Sequence, residues 1–114
     1  MADLFGALAQ SAPAATTLTD AYTVPTAKRA TVEVVICNRS SATTVRLQHA
    51  VAGAASANAQ YLLYDFALDA NESKATTNFT LNATDIVRVY STSGNVTFNI
   101  NGDLPLAAFA YLFS

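Results

Sequence analysis

Residues 30–51 read ATVEVVICNRSSATTVRLQHAV. Val32, Val34 and Ile36 alternate with Thr31 and Glu33, and Val45 and Leu47 alternate with Thr44, Arg46 and Gln48. A period of two sends successive side chains to opposite faces, so each half is a strand with one face for a core and one for water. Asn38-Arg39-Ser40-Ser41 supplies turn chemistry between the halves, and the stretch reads as a hairpin.

The same grammar runs outward in both directions. Residues 16–24 (TTLTDAYTV) are strand-like with a break at Thr19-Asp20, and Pro25 then favours a sheet edge. Residues 53–58 (GAASAN) form a loop. In residues 60–68 (QYLLYDFAL), Tyr61, Leu63 and Asp65 alternate with Leu62, Tyr64 and Phe66. Apolar residues on both faces predict a central strand covered twice, once by the core and once by a neighbour. Residues 69–73 (DANES) are a turn, and residues 74–81 alternate Ala75, Thr77, Phe79 and Leu81 against polar neighbours. IVRVYS (86–91) and NVTFNIN (95–101) read as a second hairpin around Thr92-Ser93-Gly94, with Val96, Phe98 and Ile100 inward. Asn101-Gly102-Asp103 reads as a turn.

These elements predict an all-β protein: an Ig-like or jelly-roll-type antiparallel β-sandwich of seven to eight short strands. Residues 1–15 form an irregular N-terminal arm with at most one helical turn, because Gly6 weakens a helix and Pro13 stops it. Residues 16–103 make the sandwich domain. Residues 104–114, LPLAAFAYLFS, are an apolar C-terminal segment that needs cover, on its own sandwich or on a neighbouring subunit. Leu4, Phe5 and Leu8 at one end and Leu106, Phe109, Tyr111, Leu112 and Phe113 at the other are the protein-contact candidates.

A chain of 114 residues holds one core. Hydrophobic residues make up 52% and charged residues 12%, about half the usual charged fraction. So little charge protects a surface poorly against association and suits a protein covered by partners or by copies of itself. The six Lys and Arg are scattered, with only Lys28 and Arg29 adjacent, whereas a nucleic-acid binder clusters them. The first fifteen residues carry Asp3 and no basic region, unlike a signal peptide, and no apolar run approaches a membrane span.

Catalytic constellations fail one by one. His49 is the single imidazole and shares parity with Val45 and Leu47, which marks a core-edge or interface side chain rather than a triad base. Asp65 and Asp69 are close in sequence, but Asp69 falls in a turn cluster. One Cys, Cys37, excludes an internal disulfide, and with His49 it leaves too few ligands for structural zinc; it reads as a small buried hydrophobe. Five Asn-x-Ser/Thr triplets follow from an Asn- and Thr-rich composition. No cofactor and no active site are expected. Tyr22, Tyr61, Tyr64 and Tyr90 are the candidates for an aromatic platform, in a chain without Trp.

The order AATTLTDAYTVPTAKRATVEVVICNRSSATTVRLQHAV (14–51), a small-residue loop, then QYLLYDFALDANESKATTNFTLNATDIVRVYSTSGNVTFNING (60–102) carries a resemblance. It resembles small structural proteins from the virion gene clusters of tailed bacteriophages, over about four-fifths of the chain. The two ends depart from that pattern. The resemblance implies a non-enzymatic virion component, made in the bacterial cytoplasm. Capsid decoration (cement) on the outside of the head is the first expectation. Its partners would be the major capsid protein and copies of itself, a trimer matching three-fold lattice positions. A tail, neck or fibre protein is the second expectation, and a cell-surface carbohydrate-binding module the third.

Overall fold

A computed structural model describes residues 4–104. Nine strands occur in it: β1 (Leu4–Ser11), β2 (Thr19–Thr23), β3 (Ala30–Asn38), β4 (Thr43–Ala50), β5 (Tyr61–Leu68), β6 (Ser73–Ala75), β7 (Phe79–Leu81), β8 (Ile86–Ser91) and β9 (Val96–Leu104). Two single 3-10 turns, Val51–Gly53 and Asn58–Gln60, lie between β4 and β5. One antiparallel sheet has the order β1-β9-β3, with β6 and β7 end to end along the far edge of β3; the other has the order β2-β8-β4-β5.

Counting β6 and β7 as one interrupted strand leaves eight. The first then pairs with the eighth, the second with the seventh, the third with the sixth and the fourth with the fifth. This is jelly-roll wiring, and it decides between the two sandwich types expected. Val32, Val34 and Ile36 of β3 and Val96, Phe98 and Ile100 of β9 face Val45, Leu47, Val87 and Val89 of the other sheet, all buried. Each such side chain contributes about 1.5–3 kcal/mol on burial.

Neither expected hairpin is one. β3 and β4 belong to opposite sheets, and so do β8 and β9. Alternation reports which residues face the core and is silent on which strand receives the ladder bonds. A polar connection of four residues serves an arch as well as a hairpin. The arch after β3 is held by Asn38, which is buried: its amide donates to Ser41 O and Asp69 O, both at 2.9 Å, and its Oδ1 accepts from Ser40 N–H. The two arches meet where Arg39 N–H donates to Asn95 O.

Four local expectations change. Residues 4–11, expected within an irregular arm with at most one helical turn, form β1 on the edge of the first sheet. Gly6, at φ +110°, and a bulge between Ala7 and Ala9 hide its periodicity. β5 is an edge strand, not a central one, and its two register shifts break parity so that Leu63, Phe66 and Leu68 all pack inward. The strand expected over 74–81 is cut in two at Thr76, whose Oγ1 accepts Val34 N–H and whose own N–H donates to Val34 O. Asn101-Gly102-Asp103 is not a turn but the continuation of β9. Gly102 is required there by closeness, since a Cβ would strike the Thr31 carbonyl oxygen and sit 2.9 Å from Val32 Cα.

Candidate functional site

The most developed polar arrangement lies on the outer face of the second sheet. β4 presents Arg46 outward, directly opposite Tyr90 of β8. On its other side the register passes from Val45–Phe66 to Leu47–Leu63, so two residues of β5, Tyr64 and Asp65, stand against the single residue Arg46. Asp65 takes φ +49° at this bulge. A bulge re-aims side chains, and here both answer Arg46. The guanidinium lies 4.3 Å from the Tyr64 ring centroid and 4.8 Å from that of Tyr90, while Arg46 Nε donates to Asp65 Oδ1 at 2.7 Å. Tyr61 packs edge-on with Tyr64, centroids 4.8 Å apart.

Electrostatics follow from this packing. The hydrogen bond it donates to Asp65 holds the Arg46 guanidinium above its already high range, so it stays cationic. One row along the same face, Arg88 Nε donates to Asp20 Oδ1 at 2.8 Å and reaches towards Gln60. The face is therefore a braced polar-aromatic surface with its charges paired. Of the four tyrosines expected as platform candidates, Tyr61, Tyr64 and Tyr90 come together. Tyr22 does not: it packs against the core, and burial pushes its phenol pKa up.

A second feature is a crevice of about 400 Å³ where the sheets part, between β5 and the β6–β7 edge. Leu47, Leu62, Leu63, Phe66 and Phe79 line it, with Lys74 among its polar residues. Leu62 is 46% exposed.

The residues tested for chemistry have structural duties. His49 is a core-edge residue, as its parity predicts, and its Nε2 lies 2.8 Å from Asp85 Oδ2. Asp85 is buried and accepts N–H groups of Ala52 and Asn82, which ties together two turns at one pole of the sandwich. Burial alone would raise its pKa, but the bonds from Ala52, His49 and Asn82 outweigh burial and hold the carboxyl below its ordinary range. Among the described residues no Ser, Thr or Cys side chain is hydrogen-bonded to His49. Asp65 pairs with Arg46, whereas Asp69 contributes its backbone to the arch, so the two form no carboxylate pair. Cys37 is half-buried on the outer face between Thr97 and Ser73, not in the core. Among the described residues no group of three His, Cys, Asp or Glu gathers to hold a metal ion.

The protein-contact candidates divide. Leu4, Phe5 and Leu8 fall on β1, and Leu8 packs against the core cluster. Leu106, Phe109, Tyr111, Leu112 and Phe113 lie outside the described residues. The register does relate the two ends, because Leu4 is the Cα partner of Leu104. Asp85 as the partner of His49, and Asp65 as the partner of Arg46, are absent from any sequence pattern. Comparison with protein-family models, curated proteins and solved structures finds no match to this chain.

Proposed function

We propose that this chain is a non-enzymatic structural protein of a tailed-phage virion, a capsid decoration protein that binds the outside of the head and stabilises contacts between capsomers. The resemblance over residues 14–102 motivates this reading, and the jelly roll is one of the folds that capsid proteins use, an analogy at the level of fold only. The observation that carries it is the pairing of Leu4 with Leu104. It brings the start of β1 and the end of β9, the strand leading into LPLAAFAYLFS, to one corner of the first sheet.

The partners in this reading are the major capsid protein and copies of the chain itself. Because such a protein binds the assembled shell and not its dispersed subunits, it shifts the equilibrium away from disassembly by mass action. Many weak copies suffice through avidity. The polar-aromatic face around Arg46 offers a protein contact paired charges and three tyrosines, with the guanidinium covering one face each of Tyr64 and Tyr90. Immunogold labelling of purified particles tests the proposal. Gold spread over the head is the expected result. Gold confined to one vertex or to the tail would replace it with the neck, tail or fibre reading, and no gold on particles would end the virion reading.

A further inference from the structure

The two flanks of the sandwich close differently. On one, β1 approaches β2. On the other, β5 and the β6–β7 edge stand apart around the crevice of about 400 Å³. Each wall is interrupted there. In β5 the register shift around Tyr64 and Asp65 turns both Leu63 and Phe66 inward. In the facing edge, Thr76 ties its N–H and its Oγ1 to Val34. Leu47, which is buried, lies at the floor. Lys74 is the charged group of this crevice. It stands opposite Ile36 in the β3–β6 ladder, and directly opposed residues share a face, so its side chain leaves the edge on the core side as that of Ile36 does. Its Nζ reaches to 5.9 Å from the Phe66 ring centroid, across the gap from one sheet to the other. Among the described residues no carboxylate pairs with it. An inward charge on an edge strand deters edge-to-edge pairing; here the same cation also overhangs an apolar slot.

We propose that this crevice binds a medium-chain aliphatic carboxylate, its chain along Leu47, Leu63, Phe66 and Phe79 and its head group at Lys74 Nζ. Charge, length and volume each select that class. A single unpaired ammonium at one end of the slot takes one anionic head, and apolar walls take a body that brings no polar group needing a partner. Lys74 is level with Ile36 and Phe79 with Val32, four residues apart on β3, so the slot runs about 13 Å. An extended decanoate matches that length. The volume of about 400 Å³ falls at the low end of small-ligand sites, which suits one slender chain. The Lys74 stem lies along the same apolar surface and leaves its head free for the carboxylate.

Calorimetric titration of the full chain with decanoate, kept below its micelle concentration, tests this. Saturable binding of one decanoate per chain is expected, and octanoate should bind about 10-fold more weakly, since it buries two fewer methylenes. Decyltrimethylammonium carries the same tail with the opposite charge and should bind at least ~3-fold more weakly than decanoate. Lys74→Glu, at an exposed position, should reverse that order while leaving the circular dichroism unchanged. Amide NMR shifts on titration should centre on Leu63, Phe66, Thr77 and Phe79. The absence of saturable binding overturns the proposal. Equal affinity for the two head groups also overturns it, because the crevice then belongs to an uncharged apolar group, such as a side chain of residues 106–114 or of a second copy. An order that Lys74→Glu leaves unchanged, or shifts centred elsewhere on the surface, reduces the binding to an adsorbed amphiphile and overturns it too. None of these results bears on where gold settles on particles, so the two proposals stand or fall separately.

Discussion

The side-chain amide of Asn38 donates to the main-chain carbonyl of Asp69, 31 residues further along the chain, at 2.9 Å. One buried side chain thereby ties the β3–β4 arch to the turn after β5. Asn38→Ala leaves the carbonyls of Ser41 and Asp69 without this donor and Ser40 N–H without its acceptor. The expected loss is roughly 2–4 kcal/mol. Asn38→Asp should be no better, because a carboxylate only accepts. Urea denaturation followed by tyrosine fluorescence checks both, in a chain with five Tyr and no Trp.

Asp85 sets an acid limit. Its folded pKa is held below the ordinary 3.8 by the bonds it accepts, so the unfolded chain takes up the proton first as pH falls. The stability it contributes is full above 3.8 and is lost as pH drops through the lower folded value. Wild-type stability should therefore fall with acid below about pH 4, a window set by the ordinary aspartate value. Asp85→Asn should be less stable at neutral pH by about 1–3 kcal/mol and lose less than wild type on acidification. Parallel curves for the two proteins would show that Asp85 is not the sensor.

At Gly102, Gly102→Ala drives a methyl group into the backbone of β3 at Thr31 and Val32. Overpacking of this kind costs about 1–3 kcal/mol, and here the obstacle is backbone rather than a flexible side chain, so the upper end is expected. Gly6→Ala has open space around it but a φ of +110°. Its cost comes from the dihedral alone and should be the smaller of the two. Thermal denaturation midpoints rank them.

Ending the chain after Pro105 removes Leu106, Phe109, Tyr111, Leu112 and Phe113 and spares β9, which ends at Leu104. The truncated protein should keep its β-sheet circular dichroism and cooperative unfolding, yet fail to join particles. Wild-type occupancy by the truncated protein would place the contact region elsewhere.

Much of the strand inventory is legible in the chain. β3, β4, β8 and β9 each carry a row such as Val32-Val34-Ile36 or Val96-Phe98-Ile100, because a half-buried strand needs apolar side chains every second residue. β2 was legible as an edge from Pro25. β1 is not legible as a strand, and β5 is legible as a strand but not as an edge, since a bulge inserts one residue and inverts parity beyond it. The Arg46 cluster was half visible: its tyrosines stood out as a group, but the bulge that aims Tyr64 and Asp65 together at one arginine leaves no mark on the pattern.

The sequence by itself determined that this is an all-β sandwich with a single core and a sparsely charged surface, because those properties follow from local alternation and composition. Only the tertiary structure decided that the connections at 39–42 and 92–95 are arches, that the sheets are wired as a jelly roll, and that Leu4 lies beside Leu104. Those facts concern which backbone donates to which. Every residue offers the same N–H and C=O, so side-chain order along the chain cannot specify the partner; the competition among whole sheets for a common core does.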